Sequence, residues 1–321
     1  MDEPWYSPIS EDLEKVERLM MDTVRSKNPE LTEICRYVLG SNGKRIRPSM
    51  CLLAHHACGG KDVKRAIDAA TAIEIIHNAT LVHDDINDRG ELRRGAQAAY
   101  KRYSIGRSII AGDFMFATGY RLIGSAAPEV VDYIVSASAA MGAGEFDQKD
   151  LEHSVGATEE DYLGIIEGKT ARLIECGAKI GAFLAGSDSE TIYNLGEFAV
   201  RTGMAFQIVD DILDVAGDEG KTGKRIGSDI MEGKPTLPTI YAMQDPVHGD
   251  AVRELFSRKD MGWPEVSEAI ALIKRTDAVQ RCLEKARGIA SASMPFLDAI
   301  GDSPYKRSLI ALSNFIVDRN R

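Results

Sequence analysis

The chain is predicted to be all-α, and three observations carry that expectation. Apolar residues recur at three- and four-residue spacing along almost all of the 321 residues, the period of helices with one buried face. Aromatic residues are sparse at 7% while Ala, Ile, Leu and Met are plentiful, which favours helix packing over sheet. No β-rich block, long linker or low-complexity segment interrupts the pattern.

In chain order, the period predicts helices near 9–27 and 30–40, closed by Ser41-Asn42-Gly43, then 44–58, closed by Gly59-Gly60. Helices near 63–88, 97–103, 107–123, 128–153 and 158–184 follow, up to the breaker Gly186-Ser187. The next, near 188–215, runs into the glycine-rich stretch Gly217–Gly227. Helices near 235–243, 248–257, 263–290 and 304–319 complete the set. The simplest architecture is a single all-α domain over 1–321, a bundle of about ten or more helices around a deep central cavity.

Composition excludes several function classes. A hydrophobic fraction of 44% is ample for a large core, and a net charge of −10 argues against nucleic acid as a partner. The most apolar stretch, near 119–145, is broken by Arg121, Pro128, Glu129 and Asp132, so it reads as buried helix and not as a transmembrane segment. The start, Met1-Asp2-Glu3-Pro4-Trp5, has no apolar core and is no signal peptide. Five scattered cysteines, Cys35, Cys51, Cys58, Cys176 and Cys282, form no CxxC pair and suit reduced thiols in a cytoplasmic protein.

Two clusters of one design stand out: Asp84-Asp85-Ile86-Asn87-Asp88 and Asp210-Asp211-Ile212-Leu213-Asp214. Both read DDxxD at the polar end of an apolar helical stretch, so first and fifth positions share a face about one turn apart. Carboxylates brought together in this way repel one another and tend to protonate unless neutralised. Magnesium, which takes few carboxylates plus substrate phosphates, suits that geometry. One such motif is weak evidence in a chain with 49 acidic residues; two, each followed by basic groups, are a strong joint signal.

The basic groups have ordinary readings and sharper ones. Arg93-Arg94 alone would be a solvated loop pair, but beside Asp84–Asp88 it suggests diphosphate recognition by guanidinium forks. Gly43-Lys44-Arg45-Ile46-Arg47-Pro48 places three cations in four residues, which alone is more often a charged helix start. Lys169-Thr170 lies in an apolar run and points either to the surface or into a cavity. Gln207, one turn before Asp210, makes either a core hydrogen bond or a dipole facing a cation. The stretch 217–235 combines many glycines with several lysines, as a plain loop or a phosphate-binding lid would. Reading back from Asp84, the helix face carries Thr80, His77, Ile76 and Ile73, polar at the aspartate end and apolar deeper, a gradient that fits an anionic head with a greasy tail.

These residues resemble the trans-isoprenyl diphosphate synthase family from about Gly43 to Asp318. The matching blocks, in the family's order and spacing, are Gly43–Pro48, His77–Gly95, Gly112-Asp113, Gly144-Glu145-Phe146-Asp147-Gln148, Gly168–Ala171, Phe206–Asp214, Gly223-Lys224, Gly227-Ser228-Asp229 and Gly233–Pro238. The resemblance implies the isoprenoid synthase fold and a homodimer. It also implies an allylic diphosphate bound through about three magnesium ions. Asp84, Asp88 and Asp210 would be direct ligands, supported by Asp85, Asp211 and Asp214. Arg93, Lys169, Lys224 and Lys234 would hold the same diphosphate. Isopentenyl diphosphate would be held without metal by Lys44, Arg47, His77 and Arg94. Ionisation gives an allylic cation, faced by carbonyl dipoles of Gln207 and Thr170 and attacked by the isopentenyl double bond.

The first motif has two residues between its aspartate pair and last aspartate, where some bacterial short-chain members have four. The block GEFDQ is closer to the GExxQ of longer-chain members. Arg319-Asn320-Arg321 resembles a tail that can cover the isopentenyl site. Family members that stop at fifteen carbons usually place an aromatic residue four or five positions before the first aspartate; here stand Thr80 and Ala79, with Ile76 and Ile73 deeper. At ~1.5 Å per residue Ile73 lies about 16 Å below Asp84, so the expected product has about twenty to thirty-five carbons, geranylgeranyl or geranylfarnesyl diphosphate leading. The block Glu74–His83 looks archaeal in flavour. A class I terpene cyclase shares the fold but usually lacks a second DDxxD, and a non-catalytic subunit of a heteromeric prenyl synthase typically loses an acidic motif; this chain keeps both motifs.

Overall fold

The computed structural model describes residues 4–41, 43–217 and 226–318. Among them are sixteen α-helices, three short 3-10 or π segments and one two-stranded hairpin, so the all-α expectation holds. The chain divides into two compact units: Met1–Ser136, Leu173–Gly196 and Phe296–Leu312 form the first, and Ala137–Arg172, Glu197–Pro295 and Ser313–Arg321 the second.

The first unit is built on α4, Val63–Asn87. Eight consecutive residues, Ala69 to Ile76, are buried, so the helix is surrounded on every side there. Its neighbours are α1 (Ser10–Thr23), α3 (Ile46–Ala57) and, most extensively, α6 (Ile105–Ile123). Close approach to α6 depends on Gly119, where a Cβ would stand 3.0 Å from Cγ1 of Ile76. The next helix, α2 (Pro29–Leu39), starts with Asn28 accepting from the amides of Glu30 and Leu31 at 3.0 and 3.2 Å, a side-chain cap for otherwise orphaned donors.

The second unit collects the latter part of α7 (Pro128–Asp150), α8 (Glu159–Ile166), a π-helical turn (Glu167–Ala171) and most of α10 (Ser189–Ala216). Four further helices, α12 (Leu237–Met243), α13 (Gly249–Phe256), α14 (Trp263–Ile273) and α15 (Ala278–Ser293), enclose a core that includes Ile208, Ile212, Leu237, Ile240, Phe256, Val266, Ile273 and Ala286. Thr158 and Asp161 close the start of α8 with a reciprocal capping box.

The structure corrects several sequence boundaries. The helix expected near 263–290 is two, α14 and α15, separated around Thr276, whose hydroxyl accepts from the amide of Ala278 at 3.2 Å. The helix expected near 158–184 is interrupted by the π turn before α9 (Arg172–Leu184). The stretch 217–235 contains the short helix α11, Ser228–Met231. A hairpin pairs Leu92–Arg93 with Ala96–Gln97; its turn residues Arg94 and Gly95 both have positive φ, 51° and 79°, as tight hairpin turns require. Among the described residues no helix is long and apolar enough to cross a membrane.

Candidate active site

In the first unit, α4 supplies the first aspartate motif from its last turn. Asp84 and Asp85 are helical, and Asp88 is the C-cap, its amide donating to the Asp84 carbonyl at 2.8 Å. The C-terminus of a helix carries partial negative charge, so three carboxylates there add to an already unfavourable field. Arg93 answers it, donating from Nε to Asp85 Oδ1 at 2.8 Å and also from Nη2. Burial alone would lower the Arg93 pKa, but Asp85, Asp84 and Asp88 outweigh it and the net shift is upward.

Two turns earlier on α4, His77 sits in a cluster of guanidinium groups. Arg47 Nη1 donates to His77 Nε2 at 3.0 Å. Burial first, then the charges of Arg47, Arg94, Arg93 and Arg45, hold the imidazole well below its ordinary pKa and therefore neutral. Arg47 is itself brought down to about 10, chiefly by burial, and its Nε is buried without a hydrogen-bond partner. Arg94 donates to the Ser41 carbonyl at 3.3 Å and hydroxyl at 3.1 Å. Its guanidinium lies against Gly43, where a Cβ would come within 2.8 Å of Nη1; the glycine is required for that approach. Lys44 is exposed.

Arg45, the middle cation of the Gly43–Pro48 block, goes elsewhere. Its backbone is left-handed at φ 50°, and its guanidinium pairs with Glu17 at 2.5 Å and with the buried Glu74 at 2.7 Å. Glu74 supports charge on Arg47 and Arg94 as well. Below the motif, Ile73, Ile76 and Ala79 are fully buried, Ile76 facing Gly119 of α6, and the Thr80 hydroxyl donates to the His77 carbonyl at 2.7 Å.

In the second unit, Asp210, Asp211 and Asp214 occupy the last two turns of α10, again at a helix C-terminus. Asp211 is buried and accepts from the Tyr162 hydroxyl at 2.6 Å and from Gln207 Nε2 at 2.8 Å. Burial, then the neighbouring charges of Asp229 and Asp214, push its carboxyl up to about 8 despite those bonds. Because a carboxylate bonded to Nε2 fixes the amide's orientation, the Gln207 carbonyl is presented to Thr170, whose hydroxyl donates to it at 2.8 Å. Asp214 instead holds the start of α11, accepting from Ser228 Oγ at 2.7 Å and from the Asp229 amide at 3.0 Å.

A pocket of about 120 Å³ lies here, lined by Lys169, Thr170, Gln207, Asp211, Asp229 and Lys234 among others. Lys169 pairs with Glu145 and donates to Gln148 Oε1 at 3.4 Å; Lys234, 9% exposed, pairs with Glu232 at 2.7 Å. Lys224 and the tail Arg319-Asn320-Arg321 lie outside the described residues. Glu145, Gln148, Tyr162, Asp229 and Glu74, which carry no site role in the sequence pattern, also belong to these clusters. The block Gly144–Gln148 was a usable signal for the first two; nothing in the sequence marks Tyr162.

The donors fit hard divalent cations: all are carboxylate oxygens, crowded at helix ends that disfavour negative charge. Among the described residues no three His, Cys, Asp or Glu side chains are grouped so as to hold a metal by themselves.

An all-α fold with carboxylate clusters at two helix C-termini, one beside a guanidinium cluster and one beside the half-buried Lys169 and the buried Lys234, defines a protein of the isoprenoid synthase class. The chain belongs to the polyprenyl synthetase family, whose model matches residues 28–273. It is 35% identical over 317 residues to the all-trans-nonaprenyl-diphosphate synthase (geranyl-diphosphate specific) of Rhodobacter capsulatus, covering 98% of this chain and 96% of that protein. It is also 35% identical over 314 residues to the geranylgeranyl pyrophosphate synthase of Geoglobus acetivorans, covering 96% and 95%. A bacterial and an archaeal protein thus stand at equal identity. Among solved structures, a polyprenyl synthase from Caulobacter crescentus complexed with calcium and isoprenyl diphosphate superposes with TM-score 0.94 at 30% identity, covering 99% and 97% of the two chains.

Proposed function

We propose that this chain is a magnesium-dependent trans-prenyltransferase that condenses isopentenyl diphosphate with an allylic diphosphate and releases diphosphate. The observation that carries the reading lies on α4. The His77 cluster and the Asp84 motif are seven residues apart, about 10 Å along one helix face at ~1.5 Å per residue. One is built for an anion held directly, the other for an anion held through cations. The prenyl diphosphates in the names of the relatives, and the calcium and isoprenyl diphosphate in the Caulobacter complex, support the same chemistry.

In this reading Lys44, Arg47, His77 and Arg94 hold isopentenyl diphosphate. His77, neutral, accepts from Arg47 and fixes the guanidinium for the phosphate. Asp84, Asp88 and Asp210 are the cation ligands, with Asp85, Asp211 and Asp214 in support; Asp214 acts partly by setting α11. Arg93, Lys169, Lys234 and Lys224 hold the allylic diphosphate. Bound divalent cations, about three, would neutralise the departing diphosphate as Lewis acids. Gln207 and Thr170 present carbonyl oxygens to the developing allylic cation, a preorganised dipole effect. The whole chain serves as a single isoprenoid synthase domain, supported by a family match that runs through segments of both units. Five free cysteines, four of them buried, suit a reducing cytoplasm, and a homodimer is the assembly expected.

Incubation with radiolabelled isopentenyl diphosphate, magnesium and primers of several lengths tests the activity. Magnesium-dependent incorporation is expected, and none with any primer overturns the reading. We place the product at about twenty carbons or longer, on the small side chains Ala79 and Thr80 beneath the motif. Ala79→Phe should then shorten it, because the ring takes about one turn of pocket depth. An unchanged product distribution by chromatography would mean that Ala79 packs against protein rather than the tail.

A further inference from the structure

The geometry points to His153 as a positioning residue that sets the Gly233–Lys234 turn against the second aspartate pocket, a role that rests on the diphosphate reading above. His153 follows α7 by three residues and is left-handed at φ 60°. For a residue with a Cβ that conformation is unfavourable, so neighbouring contacts must hold it. Three do. Its amide donates to the Gly233 carbonyl at 2.7 Å. Its ring covers Gly233, itself at φ 71°, so closely that a Cβ there would lie 2.4 Å from Cε1 and Nε2. Its Nδ1 donates to the Phe256 carbonyl at 3.2 Å, an acceptor that fixes the hydrogen on Nδ1.

What this turn carries is the site. Lys234, the next residue, donates its amide to the Asp229 carbonyl at 2.8 Å and sends a nearly buried side chain into the pocket. Asp229 in turn donates its amide to Asp214 at 3.0 Å. From the imidazole to the second aspartate motif there is thus an unbroken series of short contacts, all within the second unit. Phe256, which anchors the ring, is buried at the end of α13 and packs at a tilt against it, centroids 6.2 Å apart. The strain is concentrated on a residue with no place in the chemistry, next to one that has.

The test is calorimetric binding of geranyl thiolodiphosphate, a non-reacting allylic analogue, with magnesium, alongside steady-state kinetics. His153→Asn tolerates the left-handed backbone and keeps the amide bond while removing the ring. It should weaken analogue binding about fivefold or more and leave the KM for isopentenyl diphosphate unchanged. In a Lys234→Ala background the same change should cost nothing further, because its effect passes through Lys234. Gly233→Ala, which displaces the ring, should act in the same direction and serves if His153→Asn does not fold. Unchanged analogue affinity, equal losses for both substrates, or full additivity with Lys234→Ala overturns the positioning role. Failure of the wild-type chain to bind the analogue overturns the functional reading, and the role with it.

Discussion

Arg47 is tied at one end of its guanidinium to His77 and buried at Nε without a partner, an arrangement that costs stability unless an anion completes it. Arg47→Met keeps the apolar stem and removes the charge. Urea midpoints should be unchanged or raised, since an expensive buried cation is gone. The KM for isopentenyl diphosphate should rise roughly 10- to 100-fold, the equivalent of a charge-assisted hydrogen bond of about 1.5–3 kcal/mol. A destabilised protein with unchanged KM would make Arg47 a core residue. The sequence revealed this site only in part. Lys44, Arg45 and Arg47 look alike in a row, yet the left-handed turn at Arg45 sends it to Glu17 and Glu74, 28 and 29 residues distant. Local pattern can show that cations are concentrated; which of them a distant carboxylate takes is settled by tertiary packing.

The π turn Glu167–Ala171 is where element geometry meets chemistry. One residue more than an α-helix needs is fitted in, and that surplus places Lys169 and Thr170 together at the pocket. The turn fits closely against α7: a Cβ at Gly168 would be 3.0 Å from the Ala140 carbonyl, and one at Gly144 2.9 Å from the Lys169 amide. Deleting Gly168 should restore regular α-helix and rotate Lys169 and Thr170 by about 100° relative to α8. Far-ultraviolet circular dichroism should be preserved while turnover falls by about 100-fold or more, the scale on which misplaced catalytic groups act. Retained turnover would show that the surplus residue is incidental. Helix existence was legible from periodicity, and so were the aspartate motifs at helix ends. This turn was not, because one inserted residue hardly disturbs an apolar pattern. The break near Thr276 was hidden because its residues, Lys274-Arg275-Thr276-Asp277, include no Gly or Pro, and the hairpin at Arg93–Ala96 because two-residue strands leave no period to read.

At the scale of the whole molecule, the net charge is −10, and both proposed substrates are polyanions. Their binding therefore has to be linked to cations, and the carboxylates indicate how tightly. Protein partners already engage Asp85, Asp211 and Asp214, which limits the oxygens these carboxylates can offer a cation that needs about six. Phosphate oxygens would then complete the coordination shells that the aspartates begin. Millimolar magnesium alone should shift the melting temperature little, and inorganic diphosphate alone equally little. Together they should raise it by several degrees, since a ligand that binds only the folded state stabilises by RT ln(1 + [L]/Kd). Linkage makes the effect reciprocal: diphosphate must tighten magnesium by the factor that magnesium tightens diphosphate. Chelation should abolish both the joint shift and turnover, and added magnesium should restore them. If magnesium alone produced the full shift and diphosphate added nothing, the aspartates would form complete metal sites, and the cations would be resident rather than carried in with the substrate.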